Sequence, residues 1–174
     1  PPGENPEICE RPDIACVGEE VADFSLTNCG TGEQVSMRAY FAGQRAGMLV
    51  LTAGWCPACS EWIPQMLMLE ADPRAEGFKA AYILGENANR QPPTEAYCRR
   101  YADQLNVPHD QMFMDSGGGN SFAVTFANVW PYIGADGSFG LPFNALIDPN
   151  TWEYIYGDRG PGGDLNAGLN RLLQ

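Results

Sequence analysis

Trp55-Cys56-Pro57-Ala58-Cys59 is the segment of this chain whose residue types and spacing suit covalent chemistry. Two thiols separated by two residues can close a small disulfide ring. A buried strand is expected just before them and a helix just after, so Cys56 should stand at a helix start. There a sulfur faces unpaired backbone N–H groups and the positive end of the helix dipole, which favour its thiolate. Cys56 is thus the expected nucleophile toward a partner's disulfide, and Cys59, one turn deeper, the expected resolving thiol. Trp55 is expected to shield the pair and form an apolar docking rim, with Pro57 beside it. Other uses of the pair fare worse. A zinc site needs two more ligands, yet the chain has one histidine, His109, and no second close cysteine pair, so no metal is expected. Copper capture by Cys56, Cys59 and His109, or an inert structural disulfide, are the weaker alternatives.

The elements that must position this pair are legible as patterns. Residues 47–53 form an apolar run without alternation, the mark of a strand buried on both faces. Residues 56–71 follow as a helix, with Pro57 in its first turn and Pro64 as a kink. Strands are expected at 78–84, 111–114, 144–147 and 152–156, the last two joined by a turn at 148–150. Residues 24–27 and 34–37 suggest a hairpin, with Ser36 capping a short helical turn. Further helices are expected at 94–105, capped by Thr94, and at 121–129 and 165–173. Residues 115–120 read as a flexible Gly-rich turn, since they lack the spaced acidic ligands of a calcium loop. Strands alternating with helices and closing on a hairpin give an α/β fold with mixed strand directions.

Together these residues resemble the thioredoxin-like superfamily, and within it the extracytoplasmic TlpA/ResA-like thiol-disulfide oxidoreductases, which overlap the redoxin and AhpC/TSA families. The likeness rests on Val17-Gly18-Glu19-Glu20-Val21-Ala22-Asp23-Phe24-Ser25-Leu26, on Met48 through Cys59, on Pro64, and on Gly140-Leu141-Pro142-Phe143-Asn144-Ala145-Leu146-Ile147-Asp148. It implies a central mixed β-sheet flanked by helices on both faces, spanning residues 17–174, with residues 1–16 as an acidic N-terminal extension. It also implies that Pro142 is cis and lies beside the dithiol, and that the backbone of Leu141 holds an extended partner segment. The implied partners are protein thiols or disulfides and an upstream redox donor. The disulfide itself serves as the redox centre without another cofactor, and the protein acts as a monomer, favoured as a reductant. Two departures stand out. Thioredoxins carry a buried Asp where this chain has Val50, which leaves Glu86 or a water to take the proton of Cys59. Peroxidase sites need a Thr and a Pro where this chain has Ala53 and Leu49, so that activity is disfavoured. A fold that retains the dithiol without using it, as a binding scaffold, is the non-enzymatic alternative.

The composition narrows the setting. Of 174 residues, 22 are Asp or Glu and 10 are Lys or Arg, a net charge of -12. No clustered cations suit a nucleic-acid backbone, and anionic lipid would repel the chain. The length fits one domain. Cys9, Cys16, Cys29 and Cys98 allow three pairings into two disulfides, and at least one such bond is expected outside the 56/59 pair. Their density favours an extracytoplasmic protein, periplasmic or secreted. The start at Pro1 suggests that a leading segment, with or without a membrane anchor, has been removed.

Overall fold

In the computed structural model, residues 14–116, 121–130, 140–159 and 165–174 are described. Expectations that concern Cys9, most of the acidic extension and residues 117–120 lie outside them. The apolar run before the dithiol forms β3 (Ala46–Ala53), and every residue in it is buried. β4 (Phe78–Glu86) pairs with one edge in parallel, and β6 (Phe143–Asp148) with the other antiparallel. A strand covered on both faces and paired on both edges has no solvent side, so its sequence need not alternate. β1 (Ser25–Asn28), β2 (Gln34–Ser36), β5 (Met112–Met114) and β7 (Glu153–Arg159) complete a seven-stranded mixed sheet in the order β2-β1-β5-β4-β3-β6-β7.

Helices cover both faces. Met48, Val50, Tyr82 and Leu84 face one core with Trp62, Ile63 and Met66 of α2 (Pro57–Ala71), Tyr101 of α3 (Glu95–Leu105) and Leu169 of α5 (Leu165–Leu173). Leu49, Leu51, Ala81 and Ile83 point the other way. They meet Met37 of α1 (Met37–Tyr40), Phe122 just ahead of α4 (Ala123–Phe126), and Trp152. The caps read from sequence are present: Ser36 accepts the Ala39 N–H, and Thr94 accepts that of Tyr97. Pro64 stays inside α2 on its exposed side.

Two local expectations are corrected. The helix expected at 121–129 shrinks to α4. Phe122 takes a left-handed φ of 60°, and the buried Asp115 carboxylate accepts the N–H groups of Val124 and Thr125 at 3.0 and 2.7 Å. A side chain that satisfies the first-turn donors marks a helix start, so α4 cannot begin at Ser121. The turn after β6 is longer than 148–150. Trp152 has φ 59° and donates to the Asp148 carbonyl at 2.7 Å, so β7 begins at Glu153. The described start of the chain, residues 14–16 of the expected extension and the stretch after them, packs against the body. Ile14, Ala15 and Val21 are buried, and the Gly18 and Val21 N–H groups donate to the carbonyls of Tyr154 and Trp152.

Cys29, just after β1, is disulfide-bonded to Cys98 of α3, with 5.9 Å between their Cα atoms. Both are fully buried, and the bond closes a separation of 69 residues. Cys16 is also disulfide-bonded. By loop-closure entropy the 29/98 link is worth about 4 kcal/mol. Replacing Cys29 and Cys98 together by Ala is therefore expected to lower stability by about 3–4 kcal/mol, read from the urea midpoint.

Buried phenols add a pH dependence. The Tyr82 hydroxyl donates to Glu70 at 2.6 Å, and the Tyr40 hydroxyl to the Ala80 carbonyl at 2.6 Å. Burial first, then the Glu70 charge, pushes both phenols above their ordinary range. Burial does the same to Tyr101. The folded protein keeps these protons where the unfolded chain, with phenols near ~10, releases them. Stability should therefore fall as pH rises past ~10. In an absorbance titration, these three of the seven tyrosines should ionise only as the protein unfolds.

Candidate active site

Cys56 caps the N-terminus of α2 with an extended backbone, φ −98° and ψ 102°, and Pro57 takes the first helical position. Proline loses nothing there, because the N–H it lacks would have no partner within the helix. The Cys56 Sγ accepts the Cys59 N–H at 3.2 Å. The two sulfurs are bonded, with 5.3 Å between Cα atoms. Cys56 retains 5% exposure and Cys59 none. That difference decides which sulfur an outside group can reach.

Ala53, Cys56 and Cys59 form a small apolar cluster, with Trp55 and Leu141 packed against it. The Leu141-Pro142 bond is cis and Pro142 is buried. The β6 ladder starts at Phe143, opposite Leu51, so Leu141 precedes the paired residues and lies beside the dithiol. Pro57 is exposed. The fold thus brings Trp55, Leu141, Cys56 and Cys59 together from two distant stretches of chain. Gly54 permits the approach of the next loop: a Cβ there would collide with the Tyr97 hydroxyl and stand 2.9 Å from the Ala88 nitrogen.

Glu86 ends β4. Its carbonyl accepts the Gly54 N–H at 2.9 Å, and its carboxylate accepts the Trp55 indole N–H at 3.1 Å. Glu86, offered from sequence for proton transfer, thus holds the tryptophan that precedes Cys56. Polar groups the motifs did not single out lie under the site. Thr52, the one polar side chain of β3, shares a 2.7 Å hydrogen bond with the Tyr101 hydroxyl, which also lies 3.4 Å from the Ala53 carbonyl. Asn144, opposite Val50 in the ladder, accepts the Trp62 indole N–H at 2.9 Å. Where thioredoxins carry a buried carboxylate, this site has uncharged groups. A lone Thr in an apolar strand was the one visible signal, and only its partner on α3 gives it meaning.

His109 is not part of the site. It precedes β5, which runs parallel to β4, so it stands at the opposite end of the sheet from Glu86, and its Nε2 lies 2.7 Å from Asp103. The copper constellation of Cys56, Cys59 and His109 is therefore not assembled. Among the described residues, no group of three or more His, Cys, Asp or Glu side chains could hold a metal ion.

Comparison with known proteins agrees with this geometry. No curated protein matches the chain in sequence. A thiol:disulfide interchange protein of the thioredoxin family from Chlorobium tepidum TLS superposes with a TM-score of 0.65 at 19% identity, over 92% of this chain and 100% of that one. A thiol:disulfide interchange protein from a Bacteroides species gives 0.64 at 14% identity, over 91% of each chain. The thioredoxin domain of a thiol-disulfide oxidoreductase from Bacteroides vulgatus gives 0.64 at 13%, over 91% of this chain and 99% of that one. Those likenesses establish a thioredoxin-like fold. The redoxin family profile matches residues 16–151, well over half the chain. With that match spanning the sheet strands β1 to β6 and the Cys56-Cys59 pair at the head of α2, the chain belongs to the redoxin family.

Proposed function

We propose that the protein is a thiol-disulfide oxidoreductase acting on cysteines of partner proteins, and that it works as a reductant. The observation that carries this reading is the asymmetry of the pair: Cys56 is reachable and receives a helix N–H, whereas Cys59 is sealed. In the dithiol form, the Cys56 thiolate attacks one sulfur of a partner disulfide. A Cys56–partner bond forms and the partner's other sulfur leaves as a thiolate. Cys59, once deprotonated, attacks the Cys56 sulfur and releases the second partner thiolate. The partner gains two electrons and the 56/59 disulfide re-forms, to be reduced again by an upstream dithiol.

The surroundings have distinct parts in this scheme. Leu141, ahead of the ladder and next to cis Pro142, offers its backbone to an extended partner segment. Trp55, oriented by Glu86, covers the apolar side, and Pro57 lies exposed beside the entry. With Val50 unable to take a proton, water entering with the partner accepts that of Cys59. The buried 29/98 disulfide and the bonded Cys16 support an oxidising, extracytoplasmic setting. A reductant role fits the Pro57-Ala58 dipeptide, which places no histidine between the cysteines.

Replacing Cys59 with Ser should trap a covalent complex with a substrate protein, visible on a non-reducing gel, while replacing Cys56 with Ser should abolish capture. Alkylation against pH should show Cys56 reacting first, half-titrated below the ~8.5 of a free thiol. A Cys56 that titrates at or above that value, with Cys59 reacting first, would reverse the roles. Equilibration with glutathione tests direction: a potential near about −120 mV would make the protein an oxidant.

A further inference from the structure

Arg90 stands at the rim of the dithiol, in no ion pair among the described residues. Its guanidinium carbon lies 3.7 Å from the centroid of the Trp55 ring, the residue directly before Cys56. The same indole is held by Glu86 through its N–H. The loop carrying Arg90 closes on itself: the Asn87 N–H donates to the Gln91 carbonyl at 2.8 Å, and the Arg90 N–H to the Asn87 carbonyl at 3.2 Å. The Asn87 carboxamide oxygen accepts from the N–H groups of Asn89 and Gln91 at 2.8 and 3.0 Å. Arg90 sits at φ 61°, a conformation a non-glycine residue keeps only where its surroundings hold it.

Charge makes the placement informative. Arg38, Arg74 and Arg99 each have a carboxylate oxygen between 2.8 and 3.8 Å; Arg45, Arg100 and Arg171, like Arg90, have none among the described residues, but Arg90 is the one of these laid on the tryptophan beside Cys56. Arg90 is exposed and forms no ion pair among the described residues, on a chain with more than two acidic residues per basic one. A guanidinium laid on an aromatic face keeps its edge donors free, and those donors match the two oxygens of a carboxylate. We propose that Arg90 is a specificity-determining residue that selects partner cysteines flanked by Asp or Glu. It would seat that carboxylate beside Trp55 while the partner's sulfur meets Cys56. This selection rests on the redox reading of the same site.

The test uses the full chain in its dithiol form and three synthetic peptides, each closed by one disulfide. The residue beside the cysteine is Glu, Gln or Lys. The readout is the change in the Glu-to-Lys ratio of reduction rates between native protein and variant at ~0.1 M salt, where the field of charges more than about 10 Å away is screened. Arg90→Gln should lower that ratio by about two- to fivefold, the range of one exposed ion pair, and Arg90→Glu should lower it further. Arg45→Gln removes the same charge just before β3, roughly 25 Å along the strand from the dithiol, and should leave the ratio in place. An unchanged ratio in both Arg90 variants overturns the proposal, as does an equal drop in Arg45→Gln. If the native protein does not reduce even the Gln peptide, the redox reading fails and this proposal falls with it.

Discussion

A helix begins with backbone N–H groups that have no partner inside it, and at the head of α2 one of them points at a sulfur. The chemistry proposed for this protein depends on that contact. It needs Cys56 to stand outside the helix with an extended backbone while Cys59 stands one turn inside. A strand that ends abruptly at a helix start provides this, provided the strand cannot shift. β3 cannot: it is buried on both faces and hydrogen-bonded on both edges. Sliding it by one residue would turn Leu49 and Leu51 toward α2, α3 and α5, exchange the contents of the two cores, and carry the cysteines away from Leu141.

The remaining structure braces the two ends of that junction. Behind it, Tyr101 bonds to Thr52 and tethers α3 to the last turn of β3. In front, the last residue of β4 binds Gly54 by the Glu86 carbonyl and pins Trp55 by the Glu86 carboxylate. From the other side, the segment before β6 lays Leu141 against the cysteines. Three stretches of chain thus converge where the parallel strands β3 and β4 end, the place where open α/β sheets gather their sites. The Cys29–Cys98 bond ties α3 to the end of β1, whose ladders to β2 and β5 are short.

The strand positions beneath the dithiol carry no charge: Val50 of β3 faces Asn144 of β6. Val50 and the Asn144 amide occupy ground where an ionised side chain would have to be desolvated. Leaving it uncharged avoids that cost and places no ionisable side chain at Val50 or Asn144. At the rim, Glu86 and Arg90 hold one indole by different interactions, a hydrogen bond and a cation–π contact.

What the sequence determined by itself were features encoded over short spans. A run of apolar residues without alternation marks a doubly buried strand, Ser36 and Thr94 mark helix starts, and two cysteines three apart after that strand mark the dithiol. Each depends on neighbours within a turn or two, so local physics suffices to read it. Tertiary structure alone decided which distant groups meet. The pairing of Cys29 with Cys98, the bond from Thr52 to Tyr101, the capture of Trp55 between Glu86 and Arg90, and the exile of His109 to the far end of the sheet all span dozens of residues or follow from strand register. Register is a property of the assembled sheet. A carboxylate such as Glu86 can therefore be seen in the sequence, yet whether it faces a thiol or an indole is settled only when β4 has zipped against β3.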